Sequence, residues 1–134
     1  AAMQPLRLRP LRRGPMTFGW MSKRPVPDAI MDDWLAPVMA DKAIRRDLRA
    51  YARGTATGRQ TLQDADASLR DFAKPVLVVW AAEDKVMPVA SGRRLASSFP
   101  DSRFVEIPDS YTLLPEDQPG ALARHLRTFV QETT

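Results

Sequence analysis

The chain of 134 residues has no cysteine and only one histidine, His125. The missing thiols exclude disulfides and thiolate metal ligands, and a single imidazole leaves a zinc site short of nitrogen donors. No run of about 18 apolar residues occurs, which excludes a membrane-spanning helix. Aromatic residues make up 7% of the chain and are too sparse around its basic stretch to stack against nucleic-acid bases. No cofactor and no metal site are expected, and because nothing implies secretion, a cytoplasmic location is expected.

What is present suits one globular unit, since an apolar content of 44% is enough to build a core at this length. Charge is uneven along the chain. The first 24 residues carry Arg7, Arg9, Arg12, Arg13, Lys23 and Arg24 and no acid. Taking these 6 cations from the 20 leaves 14 against 16 acids, so the remainder is slightly acidic. Three readings compete for residues 1–24: an arm for nucleic acid or anionic lipid, a transit peptide, and a solvated connector or cap edge. Pro5, Pro10 and Pro15 interrupt any long amphipathic helix, which favours the connector. No specific nucleic-acid partner is expected.

The stretch KPVLVVWAAEDKVMP, from Lys74 to Pro88, reads as a buried strand ending in a carboxylate. An unbroken apolar run from Val76 to Trp80 between turn signals suits a parallel strand covered on both faces. In open α/β sheets functional side chains sit just beyond the carboxyl ends of such strands, which singles out Asp84, with Glu83 beside it as a second candidate. An Asp at a strand end is also a common cap or turn residue. From Pro88 to Phe99 the pattern predicts a helix with Gly92, Leu95, Ala96 and Phe99 on one face, then a strand from Arg103 to Ile107. This order is a right-handed βαβ crossover. A loop, DSYTLLPEDQ, leads into a last helix from Pro119, with Leu122, Leu126, Phe129 and Val130 at helical spacing.

Upstream, three helices are predicted. One runs from Pro27 to about Ala36 and carries Ile30, Met31, Trp34 and Leu35. The second runs from Asp41 to Arg53, with Asp41 at its N-cap and Ile44, Leu48 and Tyr51 as its apolar set. The third, Thr61 to Leu69, has Thr61 as cap and Asp64 at the capping-box position. Met31, Trp34 and Tyr51 read as core rather than substrate pocket. Gly14, Pro15, Met16, Phe18, Gly19 and Trp20 form an apolar patch with no helix period, suited to a pocket mouth or to burial.

WAAEDKVMP, RRLASSFPDSRFVEIPDS and PEDQP, in this order, resemble the C-terminal part of an α/β-hydrolase, with Ala81 where that family usually has Gly. The likeness covers Phe72 to about Val130. It implies an α/β fold: a partial α/β-hydrolase with a helical lid followed by a βαβα unit containing two parallel strands. The implied divisions are a basic connector over 1–24, a lid over 15–70 and the βαβα part over 71–134. The resemblance places Asp84 at the acid of the triad and Thr112 where the family carries its histidine. Threonine cannot serve as a general base near neutral pH. His125 lies on the flank of the last helix and reads as a packing or surface residue. No G-x-S-x-G elbow occurs among the six glycines, and the family order would put the nucleophile upstream of Ala1. On this ground the chain reads as a piece of a larger protein.

Two functional classes follow from the resemblance. One is a hydrolase of small esters, amides, lactones or similar apolar substrates, to which this chain contributes lid, acid and last strand. The other is a hydrolase-like binding or interaction domain without catalysis, in which the role of Asp84 survives only as ancestry or as a hydrogen bond to a hydroxyl. Because VLVVW carries neither charge nor proline and lacks the strand that would flank it, self-association through an exposed strand edge is also expected.

Overall fold

Helix α1, Asp28–Ala40, starts at Pro27 with Asp28 in its first turn, where a carboxylate meets unpaired amides. It passes the expected end at Ala36 and carries Pro37 inside its last turns. Burial of Val38 beside Leu35 and Met31 accounts for the extension, because it offsets the amide that Pro37 lacks. The computed structural model describes residues 8–15, 17–58, 64–65 and 68–134. Helix α2, Lys42–Thr57, follows at once, and the Asp41 carboxylate accepts the Ala43 amide at 2.7 Å as its cap. The Arg45 guanidinium donates to the Val38 and Met39 carbonyls, which the end of α1 leaves without helical partners. The predicted helix Thr61–Leu69 lies largely outside the described residues, as does Met16 of the apolar patch. A 3-10 turn, Leu69–Asp71, precedes the sheet.

Strands β1, Val76–Ala81, and β2, Ser102–Ile107, pair in parallel, from Val76 opposite Ser102 to Ala81 opposite Ile107. Helix α3, Val89–Ser97, makes the crossover between them. It lies so close to the sheet that a Cβ on Gly92 would sit 2.5 Å from the Trp80 ring. Only glycine allows that approach. Helix α5, Pro119–Thr133, covers the opposite face, where Ala121 and Leu122 pack on Val79, Ala81, Val105 and Ile107. Leu114 joins this cluster from a short helix α4, Leu114–Asp117, inside the stretch expected to be a loop. Its burial, with the Gln118 amide on the Leu114 carbonyl at 2.8 Å, stabilises a turn too brief for periodicity to reveal.

Two core expectations fail. Met31 is buried, but Tyr51 is 71% exposed and Trp34 is 37% exposed, its ring meeting Phe18 edge-on at 5.9 Å. Ile44 and Leu48 are exposed on the same side of α2 as Tyr51. The basic stretch, by contrast, is held down. Arg12 is buried and bonds Asp32, Arg9 bonds Asp32 at 2.9 Å, and Arg13 bonds Asp28 at 2.6 Å. Three of its cations are thus matched to the acids of α1. Among the described residues, no helix is long and apolar enough to cross a membrane.

Candidate functional site

The carboxyl end of β1 turns sharply through Ala82 and Glu83, and the turn is tied to the loop after β2. The Ala82 amide donates to the Ile107 carbonyl at 2.9 Å and the Glu83 amide to the Ser110 carbonyl at 3.1 Å. Asp84 therefore faces Thr112, which is 28 positions later in the chain. The Thr112 hydroxyl donates to Asp84 Oδ1 at 2.7 Å and accepts the Lys85 amide at 3.3 Å. The same Oδ1 takes the amides of Val86 and Met87, at 2.8 and 3.0 Å, so the carboxylate also shapes its own loop. Oδ1 is saturated. Oδ2 accepts no hydrogen bond among the described residues.

Glu83, the second candidate, turns away from this pair and bonds Lys23 Nζ at 2.5 Å. Lys23 also reaches Asp109 at 3.0 Å, and its pKa is raised first by the bond to Glu83 and then by that to Asp109. Asp109 is lowered by the same Lys23 and by Arg24. Its backbone is left-handed, with φ 56°, a conformation that a short polar side chain tolerates better than most. Lys85 Nζ lies 3.9 Å from the centre of the Tyr111 ring and 5.1 Å from that of Trp20. Both rings offer it a cation–π contact. The Asp84 and Thr112 pair is therefore rimmed by a cation on aromatic faces. His125 is exposed on α5 and makes no hydrogen bond to Asp84.

Asp117 was not singled out by its sequence context, yet it is the most fully bonded carboxylate of the described residues. It is buried at the end of α4 and accepts the Ser22 hydroxyl and the amides of Lys23, Arg24 and Tyr111, all between 2.7 and 2.9 Å. Burial by itself would raise its pKa. The amides of Arg24, Lys23 and Tyr111 and the Ser22 hydroxyl outweigh that and hold it below the ordinary carboxylate range. The Arg24 guanidinium adds a bond to the Asp117 carbonyl at 2.7 Å, and the Leu113 amide donates to the Met21 carbonyl at 2.9 Å. These bonds fasten residues 21–24 onto the loop that carries Thr112. The only signal in the sequence was the place of Asp117 in PEDQP; its partners from Ser22 to Arg24 lie more than 90 positions away.

Among the described residues, no group of three His, Asp or Glu side chains is placed to hold a metal ion.

A family model described as alpha/beta hydrolase fold matches residues 6–119. The chain is 40% identical over 107 residues to "Putative non-heme bromoperoxidase BpoC" of Mycobacterium tuberculosis, covering 76% of this chain and 37% of that protein. It is 30% identical over 63 residues to "Uncharacterized hydrolase YugF" of Bacillus subtilis, covering 47% of this chain and 23% of the other. The chain thus spans well under half the length of these relatives. Among solved structures, the serine hydrolase CarC, involved in carbazole degradation, superimposes with a TM-score of 0.63 at 22% identity, over 83% of this chain and 43% of that one. At that identity the likeness concerns the fold. A thermophilic esterase from Thermogutta terrifontis gives a TM-score of 0.50 at 28% identity, over 52% of this chain and 26% of its own.

Proposed function

The chain belongs to the alpha/beta hydrolase fold family, and from that premise we propose that it serves hydrolysis of small esters, amides or related apolar molecules. In this reading Asp84 is the triad carboxylate and residues 15–70 form the lid. The observation that supports it is the position of Asp84 at the carboxyl end of β1, with Oδ1 fixed by its own loop and Oδ2 left for an N–H donor. A triad carboxylate orients an imidazole and stabilises its charged form without itself taking the proton. The 134 residues contain no nucleophile elbow, and Thr112 cannot be the base, so the chain by itself turns over no ester.

The Thr112 to Asp84 bond at 2.7 Å favours a second reading. Here the hydroxyl stands in the imidazole's place, Asp84 organises its loop, and the domain binds small apolar ligands without acyl transfer. Turnover of p-nitrophenyl acetate by the purified chain tests the claim of inactivity that both readings share. No rate above a free-imidazole control is expected. Turnover well above that control, abolished by Asp84→Asn, would overturn the claim of inactivity, and saturable binding of an unreactive aryl ester analogue without turnover would select the second reading.

A further inference from the structure

Four residues flank Asp84 and Thr112 in the chain, and residues 20–24 engage all of them. Glu83, before Asp84, is bonded by Lys23 Nζ. Lys85, after it, has its ammonium 5.1 Å from the centre of the Trp20 ring. Tyr111, before Thr112, gives its amide to Asp117 Oδ2 at 2.8 Å, and the same oxygen takes the Lys23 amide at 2.9 Å. The Tyr111 ring also meets Lys85 Nζ at 3.9 Å and Lys23 Nζ at 5.6 Å. Leu113, after Thr112, donates its amide to the Met21 carbonyl at 2.9 Å.

The segment also spans the two loops. Lys23 reaches Glu83 on the loop after β1 and Asp109 at 3.0 Å on the loop after β2, and the Arg24 guanidinium bonds Asp109 at 2.6 Å. A single exposed ion pair fixes little. Here several contacts converge from one short segment on both sides of both residues, and the entropy of ordering that segment is lost once for all of them. Every group involved belongs to this chain.

We infer that residues 20–24 are the positioning element of the Asp84 and Thr112 pair, in which Trp20 and Lys23 set the Thr112 hydroxyl on Asp84 through Lys85, Glu83 and Tyr111. Lys85 is the central link, since its ammonium meets Trp20 while its amide donates to Thr112 Oγ1 at 3.3 Å. If residues 15–70 are the lid, the same segment is the lid's base, and a lid that moves on binding a ligand carries the pair with it. That consequence rests on the proposed function, whereas the positioning itself does not.

Amide hydrogen exchange in the 134-residue chain, followed by NMR, tests the positioning. The Val86 and Met87 amides, bonded to Asp84 Oδ1, and the Lys85 amide, bonded to Thr112, report on the pair. Lys23→Met and Trp20→Leu should each make these amides exchange about threefold faster, while amides within the β1 and β2 pairing keep their rates. Lys23→Arg and Trp20→Phe should restore protection at residues 85–87. A merely structural role would speed both sets of amides together and would overturn the inference. So would unchanged rates at residues 85–87 in the folded variants, or an equal loss in Arg103→Met, which breaks an exposed ion pair to Glu132 at the other end of β2. The readout uses neither ester nor ester analogue, so the proposed function stands or falls separately, on turnover and analogue binding.

Discussion

The helical segment, residues 28–57, and the βαβα unit, residues 76–133, differ in where their apolar residues are buried. In the βαβα unit α3 and α5 cover opposite faces of the two strands, and Ala81, Ile107 and Leu114 form a buried centre between sheet and helix. In the helical segment α1 buries Met31, Leu35 and Val38, whereas the stripe Ile44, Leu48 and Tyr51 on α2 stays exposed. Helical spacing states which side chains share a face. Whether anything packs on that face depends on a partner, which a single helix cannot specify. The two regions are joined at Asp117, whose bonds to Ser22, Lys23 and Arg24 fasten the segment leading into α1 to the loop that carries Thr112.

Removing that junction should give the largest effect. Asp117→Ala deprives four buried or half-buried donors of their acceptor and should cost on the order of 3 kcal/mol in denaturant unfolding at fixed protein concentration. If the two regions are independent, the loss will be under about 1 kcal/mol, within the range of one ordinary hydrogen bond. The same carboxylate sets a pH dependence. Its folded pKa lies below the unfolded value, so its contribution is full above the unfolded pKa of about 3.9 and is lost as pH falls through the folded pKa. Asp117→Asn should therefore flatten stability on the acid side below about pH 4, as followed by thermal melts.

Gly92→Ala tests the tightness of the βαβα unit. The added methyl would meet the Trp80 ring at 2.5 Å and Phe104 at 3.0 Å, so α3 must move outward at a cost of about 1–3 kcal/mol. A neutral result would mean that α3 rides loosely on the sheet. The smallest effect is expected on α2. Leu48→Ser, on the exposed stripe, should change stability by less than about 0.5 kcal/mol. A larger loss would show that the stripe is covered in solution and would erase the contrast between the two regions.

The pairing of Asp84 with Thr112 was legible because both lie in short motifs bound to strand ends, and strand ends converge wherever two parallel strands are in register. The strands, α3 and α5 were legible from their apolar spacing, although Leu126 and Val130 on α5 and Leu95 on α3 stay exposed. Helix α4 was not, because four residues make barely one helical turn and cannot show a repeat. The docking of Arg9, Arg12 and Arg13 onto Asp28 and Asp32 was also hidden. Composition shows that stretch only as a run of cations, and their partners lie on a separate helix.

By itself the sequence determined the local terms: which segments are strand or helix, that β1 ends in a carboxylate, and that no thiol and only one imidazole are present to do chemistry. Those follow from side-chain type and spacing within a few residues. The tertiary structure alone decided that Asp117 is the carboxylate gathering amides from both ends of the chain, and that one Asp84 carboxylate oxygen takes both Thr112 and the amides of its own loop. It also decided that α2 keeps its apolar stripe exposed. Each of these depends on backbone groups or faces brought together from distant positions, and hydrogen bonds and burial are properties of that meeting rather than of the residues taken one at a time.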